Sequence, residues 1–327
     1  MSTESRGLRW RGKRVSPLPY LLILPTLIFV LLFTIYPTIQ VVQSSQTYYH
    51  PNRPDRSRTS DLGLPGVEEA ERSIRGPHDV GLAYFRAMFD PSTEEGTIFF
   101  RVLGNTLLYA LVVVTGSITL AFLFALAVNR AIKRIGLARV AFFYPTMLPM
   151  VSAATIWLFF FTPDYGLFNS ALQFLGYTGP QNWTINRELA LASLMIVGIW
   201  KDAGYLMIFY LAGMQNLPAE VNEAADLDGA NFITRTLRIT LPLLRRTTLF
   251  VSVVSILSAF QTIDHALVMT YQLVSGEADL LLYEIYKQRF QLQNYGFANA
   301  LTVVLIGILL IFTISNFVLS ERSDDHE

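Results

Sequence analysis

The sequence predicts an all-α integral membrane protein with six transmembrane helices. Three observations lead to this fold class: the composition is strongly apolar, six long stretches are almost free of charge, and basic residues cluster between alternate stretches. Hydrophobic residues make up 52% of the 327 residues and charged residues 15%, whereas a soluble domain contains about 25% charged residues. Much of the chain is therefore expected to face lipid rather than water.

Crossing the hydrocarbon core of a bilayer, about 30 Å thick, takes roughly 20 apolar residues of helix. Six stretches satisfy this requirement and are predicted as spans one to six: 18–42, 102–128, 140–162, 189–217, 247–274 and 297–319. Span four contains Lys201 and Asp202, and span five contains Asp264 and His265. Charged groups within a membrane are costly and usually face a cavity or a partner, so these two spans are candidates for a functional site.

The direction of the spans follows from Lys and Arg in short loops, which stay in the cytoplasm. The segment 1–17 carries five basic residues, and the loops after spans two and four carry four each. The loops after spans three and five carry one and two. Both termini are therefore predicted on the cytoplasmic side, as are the loop 218–246 and the tail 320–327. The long loop 43–101 is predicted outside. Its first half, 51–77, is expected to be irregular because it is rich in Pro, Gly and Arg.

Several function classes receive no support from the sequence. Lys plus Arg equals Asp plus Glu at 25 each, so the basic excess of a nucleic-acid-binding protein is missing. The chain has no Cys and four scattered His, a pattern unlike that of a zinc site. It also lacks the Gly-x-x-x-x-Gly-Lys-Ser/Thr loop that holds ATP phosphates. We therefore expect no cofactor in this chain and no enzymatic activity of its own.

The predicted cytoplasmic loop after span four reads as a short helix, a turn and a second helix. Pro218 suits a first helical turn, and Glu220 and Glu223 complement the positive end of the helix dipole. Gly229 fits a left-handed stop after about two turns. Asn231 is a plausible N-cap for the segment that continues to residue 240, with a basic outer face at Arg235 and Arg238.

The same loop resembles the EAA signature of ABC importer permeases. Glu-Ala-Ala, three residues, Gly, nine residues and Ile-x-Leu-Pro occur here at the spacing of that family, ending in Ile239-Thr240-Leu241-Pro242. In the family this loop is a coupling helix that docks into the cytoplasmic ATPase. The resemblance assigns that role to six positions: Glu223, Ala224, Ala225, Gly229, Leu241 and Pro242.

Further motifs are similar to carbohydrate-type permeases of the maltose and glycerol-phosphate systems. These are Gly81-Leu82-Ala83-Tyr84-Phe85, Asn105-Thr106-Leu107, Met147-Leu148-Pro149, Trp157-Leu158-Phe159 and Asp228-Gly229-Ala230. One departure lies after span five, where the family commonly has Thr-x-Gly-Gly-Pro and this chain has Thr270-Tyr271-Gln272-Leu273-Val274. That loop faces the binding protein, so the analogy is weaker there for the substrate.

The resemblance implies a type I ABC importer permease fold in a bacterial-type inner membrane. It also implies a set of partners: a second homologous permease, two cytoplasmic ATPase subunits, which hold the ATP and Mg, and an extracytoplasmic solute-binding protein. The implied substrate is a sugar or oligosaccharide. The two permeases would enclose the translocation path, membrane lipid would surround them, and no nucleic-acid partner is expected.

Candidate substrate contacts come from alignment to the maltose-type permease on either side of the coupling loop. The resemblance places Trp200, Asp202 and Tyr205 of span four and Gln261 and Thr262 of span five at sugar-lining positions, with Asp264 close by. Weaker candidates on span three are Thr146 and Met150. Aromatic rings and a few placed polar groups suit a sugar site.

Other interpretations of these residues and of the function stay open. Lys201 and Asp202 can neutralise each other, the polar residues of span five can hydrogen-bond between helices, and His265 can be a hydrogen-bonded core residue. A glycerol-phosphate or polyol importer shares nearly every motif. A secondary transporter using Asp202 or Asp264 as proton carrier, and an accessory membrane subunit without its own path, are the alternatives from other classes.

Overall fold

The computed structural model describes residues 18–48, 78–129, 135–163, 165–179, 182–186, 189–269 and 276–324. Three predicted segments lie wholly or largely outside these ranges: the N-terminal segment 1–17, the stretch 51–77 and the divergent stretch 270–274. The described part is almost entirely helical, as predicted. Its only strands are Thr47–Tyr48 (β1) and His78–Asp79 (β2), which pair antiparallel within the long loop after span one.

The described residues form fifteen α-helices, α1 to α15 in chain order. Their bounds are α1 Leu18–Val30, α2 Tyr36–Ser44, α3 Ala83–Phe89, α4 Glu94–Val128, α5 Ile135–Met147, α6 Met150–Phe160, α7 Leu167–Phe174, α8 Ala190–Gln215, α9 Ala219–Leu227, α10 Phe232–Arg235, α11 Leu241–Leu243, α12 Arg245–Phe260, α13 Asp264–Met269, α14 Leu281–Tyr286 and α15 Tyr295–Asp324. Short π-helical segments join some of them at 31–35, 236–240 and 287–291.

The long helices correspond to the predicted spans. Five are long and apolar enough to cross a membrane, and a bent pair of helices, α5 and α6, makes a sixth. In the first of these helices, Leu21–Ser44, none of the residues in the most apolar part is buried against the rest of the chain. An apolar helix that packs so little against its own chain is suited to lipid or to a neighbouring subunit. The chain is therefore a multi-pass membrane protein.

Helix α4 begins well before the predicted start of span two. Thr93 is its N-cap, with a side chain that accepts a hydrogen bond from the Gly96 N–H, and Glu94 and Glu95 occupy the first turn. These acidic residues suit the positive end of the helix dipole. The span was predicted from residues without charge, so a helical turn that contains two glutamates was left out of it. The helix is therefore longer than the predicted span.

The centre of the bundle is formed by the second, fourth and fifth spans. Helix α8 packs most extensively against α4, and α12 packs against both. The C-terminal part of span five, α13, packs against α6, while α8 packs against α5. Span four thus packs against spans two, three and five.

A buried ion cluster fixes the segment between spans five and six. The Lys287 ammonium lies 2.6 Å from a carboxylate oxygen of Asp279 and 2.6 Å from one of Glu284, and both carboxylates are buried. Burial alone would lower the pKa of Lys287, but its hydrogen bonds to the two carboxylates raise the pKa above the ordinary value. The Asn105 side chain also donates to the Asp279 carbonyl at 3.1 Å, which ties this segment to α4.

Candidate functional site

Span three is interrupted at a proline. Helix α5 ends at Met147, helix α6 begins at Met150, and the two helices are bent by 102° at this break. Pro149 has an extended backbone, with φ −54° and ψ 139°. Proline has no N–H to continue a helix, and it disfavours helical geometry in the residue before it. The last carbonyl oxygens of α5 therefore lose their helical donors and need others.

Lys201 of span four supplies those donors. Its Nζ lies 3.1 Å from the Pro145 carbonyl oxygen, 3.4 Å from that of Thr146 and 2.5 Å from that of Leu148. A lysine ammonium has three N–H donors, so backbone oxygens use all of them. Its charge also complements the negative end of the α5 dipole. Within the described residues Lys201 makes no direct ion pair with Asp202, although the two charges are close enough to act on each other.

Asp202 faces span five instead. Its Oδ2 accepts a hydrogen bond from the Ser258 hydroxyl at 3.4 Å, which is long for an O–H donor to a carboxylate. Tyr205 lies three residues further along α8, and residues at this spacing share a helix face. The Tyr205 side chain is 41% exposed. Asp202 and Tyr205 together present an acceptor and an aromatic hydroxyl on one side of span four.

Trp200 lies on the other side of span four. Two residues along an α-helix correspond to a rotation of about 200°, so Trp200 and Asp202 point towards different neighbours. The Trp200 ring packs edge-on against Trp157 of α6, with 5.7 Å between ring centroids. The structure therefore brings Trp200 to the C-terminal half of span three, helix α6, and not beside the carboxylate.

Span five is also interrupted at its predicted polar positions. Helix α12 ends at Phe260 and α13 begins at Asp264. The side chains of Gln261 and Asp264 are exposed in the single chain, and the Thr262 hydroxyl donates to the Ser258 carbonyl at 3.1 Å. Non-helical backbone at membrane depth is tolerated where it is buried in protein or lines a cavity. The exposed side chains of Gln261 and Asp264 fit the second case.

His265 belongs to a buried hydrogen-bonded pair. Its Nε2 lies 3.0 Å from the Tyr109 hydroxyl of α4, and both side chains are 1% exposed. A Cβ added at Gly198 would lie 2.5 Å from the same hydroxyl, so this pair needs a glycine on α8. His265 is thus the core histidine of the alternative interpretation.

The two weaker candidates flank the bend in span three. Thr146 ends up beside Lys201, and its hydroxyl is buried with no hydrogen-bond partner among the described residues. Met150 starts α6 and packs partly buried against the central core. Both residues are within the region where spans three, four and five meet, but neither presents a fully exposed side chain.

The predicted helix-turn-helix forms at the end of span four. Helix α9 covers Ala219–Leu227, and Gly229 has a left-handed φ of +68°. The Gly229 N–H donates to the Asp226 carbonyl at 3.2 Å and the Ala230 N–H to the Ala225 carbonyl at 3.0 Å. This pair of bonds is the Schellman pattern, in which a left-handed residue ends a helix. The predicted stop at Gly229 is confirmed.

The second half of this loop is held to the first by a charged contact. Asn231 is the N-cap of α10, and its side chain accepts from the Thr234 N–H at 2.8 Å, as predicted. Arg235 was predicted on an outer basic face, but its guanidinium binds the Asp226 carboxylate on α9. Arg238 is exposed. The contact fixes the angle between the two helices and leaves less basic surface than expected.

The surface of this loop is unusually apolar for a segment so rich in charge. Leu227 is 90% exposed, Ile233 66% and Leu237 57%, while Ala225 is buried. Of the other positions assigned to coupling, Glu223, Ala224, Leu241 and Pro242 are exposed. Exposed apolar residues grouped with charges are typical of protein interaction sites.

Sequence reasoning missed three contributors to the site. Gly204, one turn after Lys201, allows α5 to approach α8 so closely that a Cβ there would lie 2.2 Å from the Phe142 carbonyl oxygen. Ser258 and Tyr109 provide the contacts to Asp202 and His265. A glycine at i+3 from an intramembrane lysine was visible in the sequence as a signal of close helix packing; Ser258 and Tyr109 carried no signal.

Comparisons with known proteins agree with this architecture. The family described as "Binding-protein-dependent transport system inner membrane component" matches residues 117–324. A crystal structure of a bacterial ABC transporter involved in the import of the acidic polysaccharide alginate aligns with a TM-score of 0.73 at 22% identity, over 93% of this chain and 95% of that one. At this identity the likeness shows the fold, which is that of a type I ABC importer permease.

Three curated relatives match over most of their length. The arabinooligosaccharides transport system permease protein AraP of Bacillus subtilis is 30% identical over 92% of this chain and 88% of its own. The sulfoquinovosyl glycerol permease protein SmoG of Agrobacterium fabrum is 29% identical over 94% and 92%. The sn-glycerol-3-phosphate permease protein UgpA of Pectobacterium atrosepticum is 25% identical over 96% and 97%. The chain belongs to the family of binding-protein-dependent transport system inner membrane components, the permease subunits of ABC importers.

Proposed function

We propose that this permease imports sugars or oligosaccharides, driven by ATP hydrolysis in separate subunits. Support comes from the relatives, whose names give arabinooligosaccharides and sulfoquinovosyl glycerol as transported compounds. The residues at the meeting point of spans three, four and five add chemical support. Asp202, Tyr205 and Gln261 offer acceptors, a hydroxyl and an amide, the groups that orient a polyhydroxylated ligand.

A second permease subunit completes the path in this proposal. In the single chain Tyr205, Gln261 and Asp264 are exposed although they lie within spans. Polar side chains at membrane depth avoid lipid and face a cavity or another protein. A similar permease packed against this face would enclose the cavity and hide these residues from lipid. Two cytoplasmic ATPase subunits, which hold ATP and Mg, and an outer solute-binding protein complete the complex.

The observation that carries the proposal is the exposed helix-turn-helix at residues 218–246. In the proposed orientation both termini and this loop lie on the cytoplasmic side of an inner membrane. The Schellman stop at Gly229 and the contact between Arg235 and Asp226 hold the two helices of the loop together. The exposed leucine and isoleucine side chains of the loop offer a surface for an ATPase. Movement of the ATPases would then be passed through the loop to spans four and five as a rigid-body change.

Substituting Gly229 tests this coupling role. A Cβ at Gly229 meets nothing within 4 Å, so Gly229→Ala introduces no clash and acts only through its left-handed φ of +68°. That conformation costs an L-residue about 1–2 kcal/mol. We expect ATP-driven transport to fall about fivefold or more while membrane insertion is unchanged. Gly307→Ala is the matched control, since its Cβ also meets nothing and its φ is not left-handed.

Two outcomes would contradict the coupling assignment. One is wild-type transport by Gly229→Ala with the ATPase bound. The other is an equal loss in the Gly307→Ala control, which would trace the effect to glycine replacement in general. A companion change, Glu223→Ala, removes an exposed carboxylate and is expected to weaken ATPase binding without altering the yield of inserted permease.

A second candidate substrate is a glycerol phosphate or other polyol derivative. The observation that favours it is the similarity to UgpA over 96% of this chain. A phosphate-binding path would use a cation within the cavity. Whether this chain offers such a cation is therefore the structural question that separates the two candidates.

A further inference from the structure

The compounds named in the relatives' descriptions differ in charge. Arabinooligosaccharides are neutral, whereas sulfoquinovosyl glycerol and sn-glycerol 3-phosphate are anions. Family membership therefore leaves the charge of the substrate open. The charges within spans three to five of this chain bear on it directly, and the following inference rests on the proposed function.

The positive charge in this region is already used. Lys201 is the one Lys or Arg in the middle of a span among the described residues. Its three donors are taken by the carbonyl oxygens of Pro145, Thr146 and Leu148. Releasing the ammonium for a ligand would leave the end of α5 with unpaired carbonyls at membrane depth, where each costs several kcal/mol. Lys201 is thus a cap of a broken helix.

Three other half-buried basic side chains near the bundle lie towards span ends. Arg101, near the start of α4, is close enough to Asp279 for its charge to act on that carboxylate. Arg139 donates to the Val128 carbonyl at the cytoplasmic end of span two, at 3.1 Å. Lys287 is bound by Asp279 and Glu284 at the outer side. None of these three charged groups is placed to meet a ligand beside Asp202. His265 lies near it but is buried in its bond with Tyr109.

The negative charge, in contrast, is available. Asp202 has one long hydrogen bond, to Ser258 at 3.4 Å, and its side chain is partly exposed. Asp264 is exposed one turn beyond the end of α12. Both carboxylates are within electrostatic range of the single ammonium of Lys201. Two carboxylates against one occupied ammonium give this side of the path a net negative charge and free acceptors.

We infer that Lys201 serves span three and not the substrate, and that the path beside Asp202 takes sugars without an anionic group. The hydroxyl groups of neutral sugars donate hydrogen bonds to the Asp202 carboxylate. A cationic amino sugar would also bind there. A sulfonate, phosphate or uronate at the same depth meets a like charge in a region of low dielectric, and the one nearby cation among the described residues, Lys201, has its donors occupied. Asp202 is, on this view, the residue that determines the charge of the substrate.

Matched pairs of compounds test the inference on the whole complex. The permease with its partner subunits is placed in lipid nanodiscs, and binding is measured by calorimetry for glucosylglycerol against sulfoquinovosyl glycerol and for mannotriose against trimannuronate. Each pair differs in charge and little in shape. In any pair whose neutral compound binds, we expect the anionic compound to bind at least about tenfold more weakly than the neutral one. The reason is that unit charges of the same sign repel strongly at an effective dielectric near 20.

Two variants separate the roles of the neighbouring charged residues. Asp202→Asn keeps the shape of the side chain and removes its charge. It should therefore improve binding of the anionic compound and reduce the difference in affinity between the two compounds of a pair. Lys201→Met should lower the yield of complex by uncapping α5, and because it removes a positive charge it should not narrow the difference in binding between the neutral and the anionic compound. If Lys201→Met does not assemble, Asp202→Asn decides alone.

Three results would overturn the inference. The first is an anion that binds as tightly as its neutral partner. The second is an unchanged difference between the two compounds in Asp202→Asn. The third is a normal yield of complex for Lys201→Met, which would show that its ammonium is not needed to cap α5. In each of these cases the proposed sugar import still stands. If neither member of any pair binds, the sugar assignment itself fails, and the inference fails with it.

Discussion

Replacing Gly204 with alanine should separate spans three and four. A Cβ at this position would lie 2.2 Å from the Phe142 carbonyl oxygen of α5 and 3.3 Å from the Thr146 hydroxyl. A backbone oxygen cannot rotate away as a side chain can. The helices must therefore move apart by roughly 1 Å to reach an ordinary contact, and overpacking of this kind costs about 1–3 kcal/mol.

The movement would also act on Lys201, which lies one turn before Gly204 on the same helix. Its ammonium reaches the Leu148 carbonyl at 2.5 Å and the Pro145 carbonyl at 3.1 Å, and a displacement of roughly 1 Å would stretch both bonds beyond the usual range. We therefore expect a lower thermal midpoint of the purified complex by a few degrees, together with reduced transport.

Gly104→Ala is the control for this experiment. Gly104 also lies within a spanning helix, α4, but a Cβ there meets nothing within 4 Å. Alanine is the better helix former by about 1 kcal/mol, so the control should be neutral or slightly stabilising. The reasoning is refuted if Gly204→Ala shows the midpoint and transport of Gly104→Ala, because the close approach of α5 and α8 would then not exist.

Two further predictions use single substitutions. Trp200→Ala removes a ring that packs against Trp157, so a packing role predicts equal losses of complex yield, basal ATPase activity and transport, whereas a sugar-binding role predicts loss of transport alone at normal yield. A cysteine introduced at Ala230, in a chain without any other, should react with a membrane-impermeant thiol reagent only from the cytoplasmic side, and reaction only from outside would reverse the proposed orientation. The corresponding outer positions, Ser60 and Ser275, lie outside the described residues.

Local physics explains which features could be predicted from the sequence. The spans follow from apolar length alone, because a bilayer imposes one requirement on every residue of a helix. The stop at Gly229 and the cap at Asn231 depend on residues within four positions of each other. Both features were found where the sequence placed them.

The candidate substrate region is less predictable from the sequence, since its geometry depends on contacts between distant residues. Lys201 and Asp202 are adjacent in sequence, yet one meets span three and the other span five. Adjacent residues of a helix point about 100° apart, so adjacency is a poor guide to pairing. Likewise, alignment placed Trp200 and Asp202 together as sugar contacts, although they lie on different sides of α8.

The role of Arg235 shows the same limit at a smaller scale. A pattern of basic residues on a short helix predicts a solvated face, but Asp226 on the preceding helix lies close enough to bind Arg235. The turn at Gly229 brings the two helices together, and its exact angle is not encoded in the pattern of charges. Surface charge in the loop is therefore lower than the composition suggests.

The central claim, an importer driven by ATP through partner subunits, is tested most directly by uptake into proteoliposomes. Neutral oligosaccharide uptake is measured with the complete complex and its solute-binding protein, with and without ATP on the cytoplasmic side, and with an uncoupler. We predict uptake that requires ATP and the ATPase subunits and that continues when the proton gradient is collapsed. Uptake by the permease without ATPase subunits, abolished by the uncoupler, would contradict the account and identify a secondary transporter.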